Sequence, residues 1–213
     1  MKIVKSSFEI TDHIDGEAIL GKLESAGRTC YKSEDKINSE SSRRFLKMLL
    51  AQGHESVIEH EKVTVRIICD RGVTHEIVRH RIGSYSQEST RYCNYSAEKF
   101  GQEITCILPV FWEDSPELLK RWKQAMVEAE RSYFELLAAG AKPEQARSVL
   151  PNSLKSEIVV TYNLREWRHF FKLRTSRKSH PQMREIACAM LTDFKSRIPI
   201  IFDDISLSGE DDK

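Results

Sequence analysis

KVTVRIICDRGVTHEIVRHRIGSYSQESTRY, residues 62–92, changes character twice. In 62–69 the residues alternate, with Val63, Val65 and Ile67 on one side and Lys62, Thr64 and Arg66 on the other. That period of two predicts a strand buried on one face. From about Arg71 to Arg79 a helix is expected, with Glu76 and Arg79 three apart on one face. Beyond Arg79, Gly83 and a series of hydroxyl residues point to an irregular segment. Arg79, His80, Arg81 and Arg91 are gathered there with Ser84, Ser86, Ser89 and Thr90; Glu88 is the lone acid. The guanidinium fork suits an oxyanion, and hydroxyls and backbone amides complete such a cradle. A solvated basic loop would normally carry lysines and intervening acids. The segment therefore reads as an anion site.

Working outward, strands are expected at 2–8, 104–108 and 156–162. Ser115 and Pro116 open a helix that Gly140 ends, with Leu118, Trp122, Ala125, Met126, Ala129, Tyr133, Leu136 and Leu137 at helical spacing. Pro143 opens a short helix closed by Pro151. Asn163 and Glu166 resemble a capping box for a helix through about Leu173. Pro181 opens another, with Met183, Ile186, Ala187, Met190 and Phe194 on one face, ending near Pro199. Segments 15–27 and 39–52 also read as helical, and the tail from about Leu207 reads as frayed. No repeat or linker divides the chain. The expectation is α+β, a single domain over 1–213, with a mixed or antiparallel sheet packed by helices.

The 213 residues suffice for a substantial core. Lys plus Arg is 33 against 32 for Asp plus Glu, a net charge of +1. That balance argues against general nucleic-acid or membrane-surface binding, so any anion site is local. No apolar run reaches membrane-span length, and MKIVKSSFEI does not read as a signal peptide. Cys30, Cys69, Cys93, Cys106 and Cys188 are dispersed without CxxC pairing, which points to reduced thiols in a cytoplasmic protein.

Three further groups stand out. QGHESVIEH, residues 52–60, holds His54, Glu55, Ser56, Glu59 and His60. Its histidines are six apart, not the four that places two zinc ligands on one helical face, so no metal is expected. Arg147 lies in EQARSVLP beside an apolar side made by Ala146, Val149 and Leu150. In 163–186, Arg165, His169 and Lys172 share a polar helical face, followed by a basic turn with Arg174, Arg177, Lys178 and His180. There is no Gly-rich dinucleotide fingerprint, Walker loop or legible Ser-His-Asp set.

Together these groups resemble the flavin-dependent thymidylate synthases. Their signature is Arg-His-Arg, two residues, Ser, one residue, Asn, two residues, Ser, one residue, Arg. Arg79, His80, Arg81, Ser84, Ser89 and Arg91 match it. Ser86 stands at the Asn position, and Gln87 stands where the family often has Glu, with Glu88 one step later. The resemblance runs on through QGHESVIEH, EQARSVLP, the Asn163-to-His169 segment and Leu173-Arg174.

The resemblance implies reductive methylation of dUMP to dTMP. Methylenetetrahydrofolate would give the carbon, and NADPH would give electrons through bound FAD. It implies a homotetramer with sites shared between subunits and no protein nucleophile. Carried over by position, Ser56, Arg79, His80, Arg81, Gln87, Asn163, Arg165 and His169 would contact FAD. Glu76, Arg79, Gln87, Glu88, Ser89, Thr90, Arg91, Arg147 and Arg174 would contact dUMP. Arg174 would favour the ionised uracil and be the catalytic residue. The competing reading is a nucleotide- or RNA-binding protein of the same fold without turnover.

Overall fold

The structure, a computed structural model, describes residues 1–207. The expected frayed tail falls largely on 208–213, outside the described residues. The strands are β1 Lys2–Val4, β2 Ser7–Ile10, β3 Lys62–Asp70, β4 Ser84–Gln87, β5 Thr105–Ile107 and β6 Lys155–Asn163. The helices are α1 Gly16–Tyr31, α2 Ser41–Ala51, α3 Arg71–Ile77, α4 Pro116–Ala138, α5 Pro143–Ala146, α6 Leu164–Arg174 and α7 Pro181–Arg197. This is the expected α+β class with an antiparallel sheet and helices. The main sheet has the order β2-β3-β6-β4; β1 and β5 form a separate parallel pair, with Ile3 opposite Cys106.

The chain divides into two compact units, and passes between them at 8/9, 65/66, 79/80, 84/85 and 159/160. The first comprises Met1–Phe8, Arg66–Arg79 and Tyr85–Val159. Its core joins Trp122, Met126 and Tyr133 of α4 to Tyr95, Ile104, Cys106 and Leu154. The apolar stripe read along α4 is thus only partly buried: Leu118 and Leu136 are exposed. Ser115 precedes Pro116 as expected but makes no side-chain cap bond. Gly140, with φ of +94°, takes the left-handed turn after α4 that glycine accepts without strain.

The second unit comprises Glu9–Val65, His80–Ser84 and the chain from Val160 onward. Its core is aromatic. Trp167 stacks on Phe171 with centroids 5.6 Å apart, and Phe194 and Phe202 meet Phe171 edge-on. Met183, Ile186, Ala187, Met190 and Phe194 of α7 are all buried, as their spacing predicts. The indole of Trp167 donates to the Val63 carbonyl at 3.0 Å, tying α6 to β3. Asn163 ends β6 and caps α6, accepting from the Glu166 amide at 2.8 Å.

Two readings need correction. Residues 2–8 form β1 and β2, in different sheets, because the chain breaks between Val4 and Ser7. The segment after Arg79 is not wholly irregular: Ser84–Gln87 is strand β4, paired to β6 at the sheet edge. Gly83 enters it past Tyr162. A Cβ at Gly83 would stand 2.3 Å from the Tyr162 ring, so the approach is open only to glycine.

Candidate active site

The first unit carries most of the residues expected at the substrate. Gln87, at the end of β4, donates from Nε2 to the hydroxyls of Thr74 and Ser156, each at 3.0 Å. Thr74 already gives its proton to the Arg71 carbonyl, so its oxygen can only accept here. A glutamate at 87 would offer it no donor, which explains why the amide fits this pocket. Glu88 is also held: Oε1 accepts from the Tyr95 hydroxyl at 3.0 Å and Oε2 from Lys155 at 2.7 Å. Burial and the Glu88 carboxylate together push the Tyr95 phenol up, keeping it protonated. Ser89 Oγ accepts from the Arg91 amide at 3.3 Å. Arg147 reaches the buried Thr90 hydroxyl at 3.3 Å, so two segments 57 residues apart meet there. Glu76 is half-buried, and its carbonyl accepts from the Arg79 amide at 3.2 Å. Arg79 is exposed, and its guanidinium makes no ion pair among the described residues.

The second unit carries most of the expected flavin residues. Its cavity, about 490 Å³, lies where Ser56's 3-10 turn, Glu55–His60, faces α6. Glu55, Glu59, Ile82, Asn163, Arg165 and His169 line it, with Glu166 and Lys172. Ser56 itself and Arg81 are exposed, and Arg81 makes no ion pair among the described residues. Arg165 pairs with Glu59 at 2.5 Å and Lys172 with Glu55 at 3.4 Å. Behind them the buried Arg168 binds both carboxylate oxygens of Asp204, at 2.6 and 2.7 Å, and Glu55 at 3.1 Å. Arg168 and Asp204 hold their charges against burial through this bidentate pair.

Two of the expected residues meet directly. Arg174 donates from Nε to His80 Nε2 at 3.1 Å. On the other side of the ring, His80 Nδ1 lies 3.1 Å from Glu166 Oε1. His80 is 4% exposed and packs on Phe170 at 5.0 Å and Tyr162 at 6.2 Å. Burial first, then the Arg174 guanidinium, then His169, lower its pKa to about 4. Burial raises the Glu166 carboxyl, opposed by His169. His80, Glu166 and His169 also bring potential ligand atoms within 4.8 Å of one another. Both His80 nitrogens are already hydrogen-bonded, and a cation there would have to displace the guanidinium.

Sequence reasoning missed the supporting residues. Thr74, Ser156 and Lys155 fix Gln87 and Glu88 but carry no motif. Glu166 was legible only as a capping-box partner, because its contact with His80 spans 86 residues. His180, whose role the resemblance leaves open, caps α7 by accepting from the Gln182 amide at 3.3 Å.

A family model described as thymidylate synthase complementing protein, Thy1, matches residues 12–200. The chain belongs to the flavin-dependent thymidylate synthase family. A Thy1 relative from Pyrococcus abyssi, named flavin-dependent thymidylate synthase, is 41% identical over 167 residues, covering 78% of this chain and 68% of its own. One from Corynebacterium aurimucosum, with the same name, is 34% identical and covers 97% of this chain and 90% of its own. Among solved structures, the UMP/dUMP methylase PolB from Streptomyces cacaoi bound with 5-Br dUMP superposes with a TM-score of 0.79. It is 25% identical and covers 95% of each chain. No helix among the described residues is long and apolar enough to cross a membrane.

Proposed function

We propose that this Thy1 chain is a working flavin-dependent thymidylate synthase. It converts dUMP to dTMP, taking its carbon from methylenetetrahydrofolate and its electrons from NADPH through FAD. The observation that carries this reading is the pair of exposed guanidiniums of Arg79 and Arg81, neither in an ion pair among the described residues, flanking in sequence a buried neutral His80. Cations without an ion-pair partner among the described residues, in a nearly neutral chain, suit a ligand's phosphates. The residues fit FAD: Arg79 and Arg81 would hold its diphosphate, Asn163, Arg165 and His169, which line the cavity, would give it polar contacts, and Ser56 and Gln87 would add theirs. His80, between the two arginines in sequence, would also serve the flavin. The bound flavin supplies the hydride.

The remaining roles belong to the chain. Ser89, Thr90, Arg91 and Arg147 hold the dUMP phosphate, while Glu76, Arg79, Gln87 and Glu88 fix the nucleotide's position. Arg174 stabilises negative charge on the uracil. No side chain attacks the pyrimidine. Cys69 and Cys106 are buried with their thiols pushed up, Cys106 to about 12, and burial also raises Cys93 and Cys188. Protonated thiols are poor nucleophiles at neutral pH. Five unpaired cysteines support a cytoplasmic setting. The enzyme acts as a single catalytic domain, since the units interleave along the chain, and as a homotetramer that completes each site across subunits.

The test is direct. The purified protein should be yellow, release FAD on denaturation and form dTMP when given dUMP, methylenetetrahydrofolate and NADPH. A colourless protein that binds nucleotide without turnover would refute the proposal.

A further inference from the structure

Arg174 is the last residue of α6, and Glu166 lies in the first turn of the same helix. They are too far apart along the helix to touch, and His80 bridges them. An arginine Nε always carries its hydrogen, so the His80 Nε2 that accepts it, at 3.1 Å, is unprotonated. The ring's proton therefore sits on Nδ1, where it donates to Glu166 Oε1 at 3.1 Å. The tautomer is thus set by bonds on both sides. Glu166 is itself held, since its amide is capped by Asn163 at 2.8 Å and its side chain is buried. Tyr162 and Phe170 close the ring in, and His169 stands 5.5 Å away.

We infer that Glu166, acting through His80, is a positioning residue that fixes the plane of the Arg174 guanidinium for the pyrimidine. The inference rests on the proposed role of Arg174 toward dUMP. Its physical content is orientation. With Nε tied to the imidazole, the guanidinium cannot rotate freely about its last bonds. The guanidinium plane is then restricted before substrate arrives, and less ordering remains to be done when it binds. An arginine without this tether would keep its charge and lose one of the contacts that set its plane. Burial and the neighbouring guanidinium keep the imidazole neutral through the physiological range, so the acceptor nitrogen stays available.

A double-mutant cycle in dUMP affinity tests this, measured by calorimetry on the FAD-loaded protein without folate. Turnover and flavin content are recorded alongside. Glu166→Ala should weaken dUMP roughly 10-fold or more, the worth of a hydrogen bond to a charged group. Glu166→Gln keeps an acceptor oxygen for Nδ1–H and should recover part of the loss. In an Arg174→Ala background, Glu166→Ala should cost no more than about twofold further, because there is nothing left to aim. Affinities are compared at equal FAD occupancy, with the loaded fraction read from flavin absorbance. Should Glu166→Ala fail to fold, Glu166→Gln carries the same cycle with a smaller first step. Losses that multiply across the cycle, or that follow loss of flavin, would overturn the inference and leave Glu166 as packing alone. A wild-type protein that holds FAD but makes no dTMP and binds no dUMP would instead overturn the proposed function.

Discussion

Acid should weaken this protein through His80. The imidazole titrates near 6.5 when unfolded and is lowered to about 4 in the folded chain. Between those values the unfolded chain binds the proton more tightly, so stability falls as pH falls through the window. The whole effect is about 2.5 pH units, roughly 3 kcal/mol, and is complete below pH 4. From pH 7 to pH 5 linkage gives about 2 kcal/mol of it. Glu166 works in the other direction. Its raised carboxyl binds a proton more readily in the folded state, so its contribution grows on acidification. The assay must therefore isolate His80. Wild type and His80→Gln are unfolded in urea at pH 7 and pH 5, at one protein concentration and ionic strength. The variant is less stable at pH 7, having lost part of the Glu166–Arg174 connection. The gap between the two proteins should shrink by about 2 kcal/mol at pH 5. An equal gap at both pH values would refute the reasoning. So would a residue 80 imidazole that titrates above pH 6 in nitrogen-15 spectra of the folded protein.

Three other outcomes are expected. Arg174→Ala should weaken dUMP and nearly stop dTMP formation, a loss of ~2–5 kcal/mol, and Arg174→Lys should restore little because a point charge cannot reproduce the fork; wild-type turnover in the Ala variant would remove Arg174 from the mechanism. Ser89→Ala should chiefly raise the dUMP requirement and keep measurable turnover, and denaturing mass spectrometry after incubation with 5-fluoro-dUMP, folate and NADPH should show no nucleotide on the polypeptide; a stable adduct at Ser89 would contradict this. Gly83→Ala should cost ~1–3 kcal/mol by overpacking against Tyr162, read as a lower urea midpoint; an unchanged midpoint would mean the strand entry can shift.

Much of this was legible in residues 62–92, because local physics dominates there. The alternation of Val63, Val65 and Ile67 gives β3 its buried face. Outside that stretch, the cap at Asn163 was legible because it acts within three residues, whereas the Asp70 cap of α3 was not read. β4 escaped notice for an equally physical reason. Ser84-Tyr85-Ser86-Gln87 has no apolar alternation, and it is a strand only because β6 supplies its partner. On α4 the helical stripe was real, but the neighbouring chain covers only the part around Trp122, Met126 and Tyr133. The arginines could be singled out from the signature. Their supports could not, because Glu166, Thr74, Ser156 and Lys155 are ordinary residues whose importance depends on long-range closure.

The order β2-β3-β6-β4 has a consequence during synthesis. β6 lies between β3 and β4, yet among the described residues it is the last strand to leave the ribosome. Between Gln87 and Asn163 there are 163 − 87 = 76 residues, which at ~5–20 residues per second takes about 4–15 s. For that time the nascent chain carries β3 with one edge bare and β4 with no neighbour at all. An apolar strand with an open edge invites pairing with other chains, and charges along β3 such as Lys62 and Arg66 discourage it. Chains stalled before Lys155 should leave the Ser84–Gln87 peptide open to proteases, and protection at that stage would contradict this order of events. The arginine-bearing segment would then be among the last parts of the fold to set, so an incompletely made chain should bind neither flavin nor nucleotide.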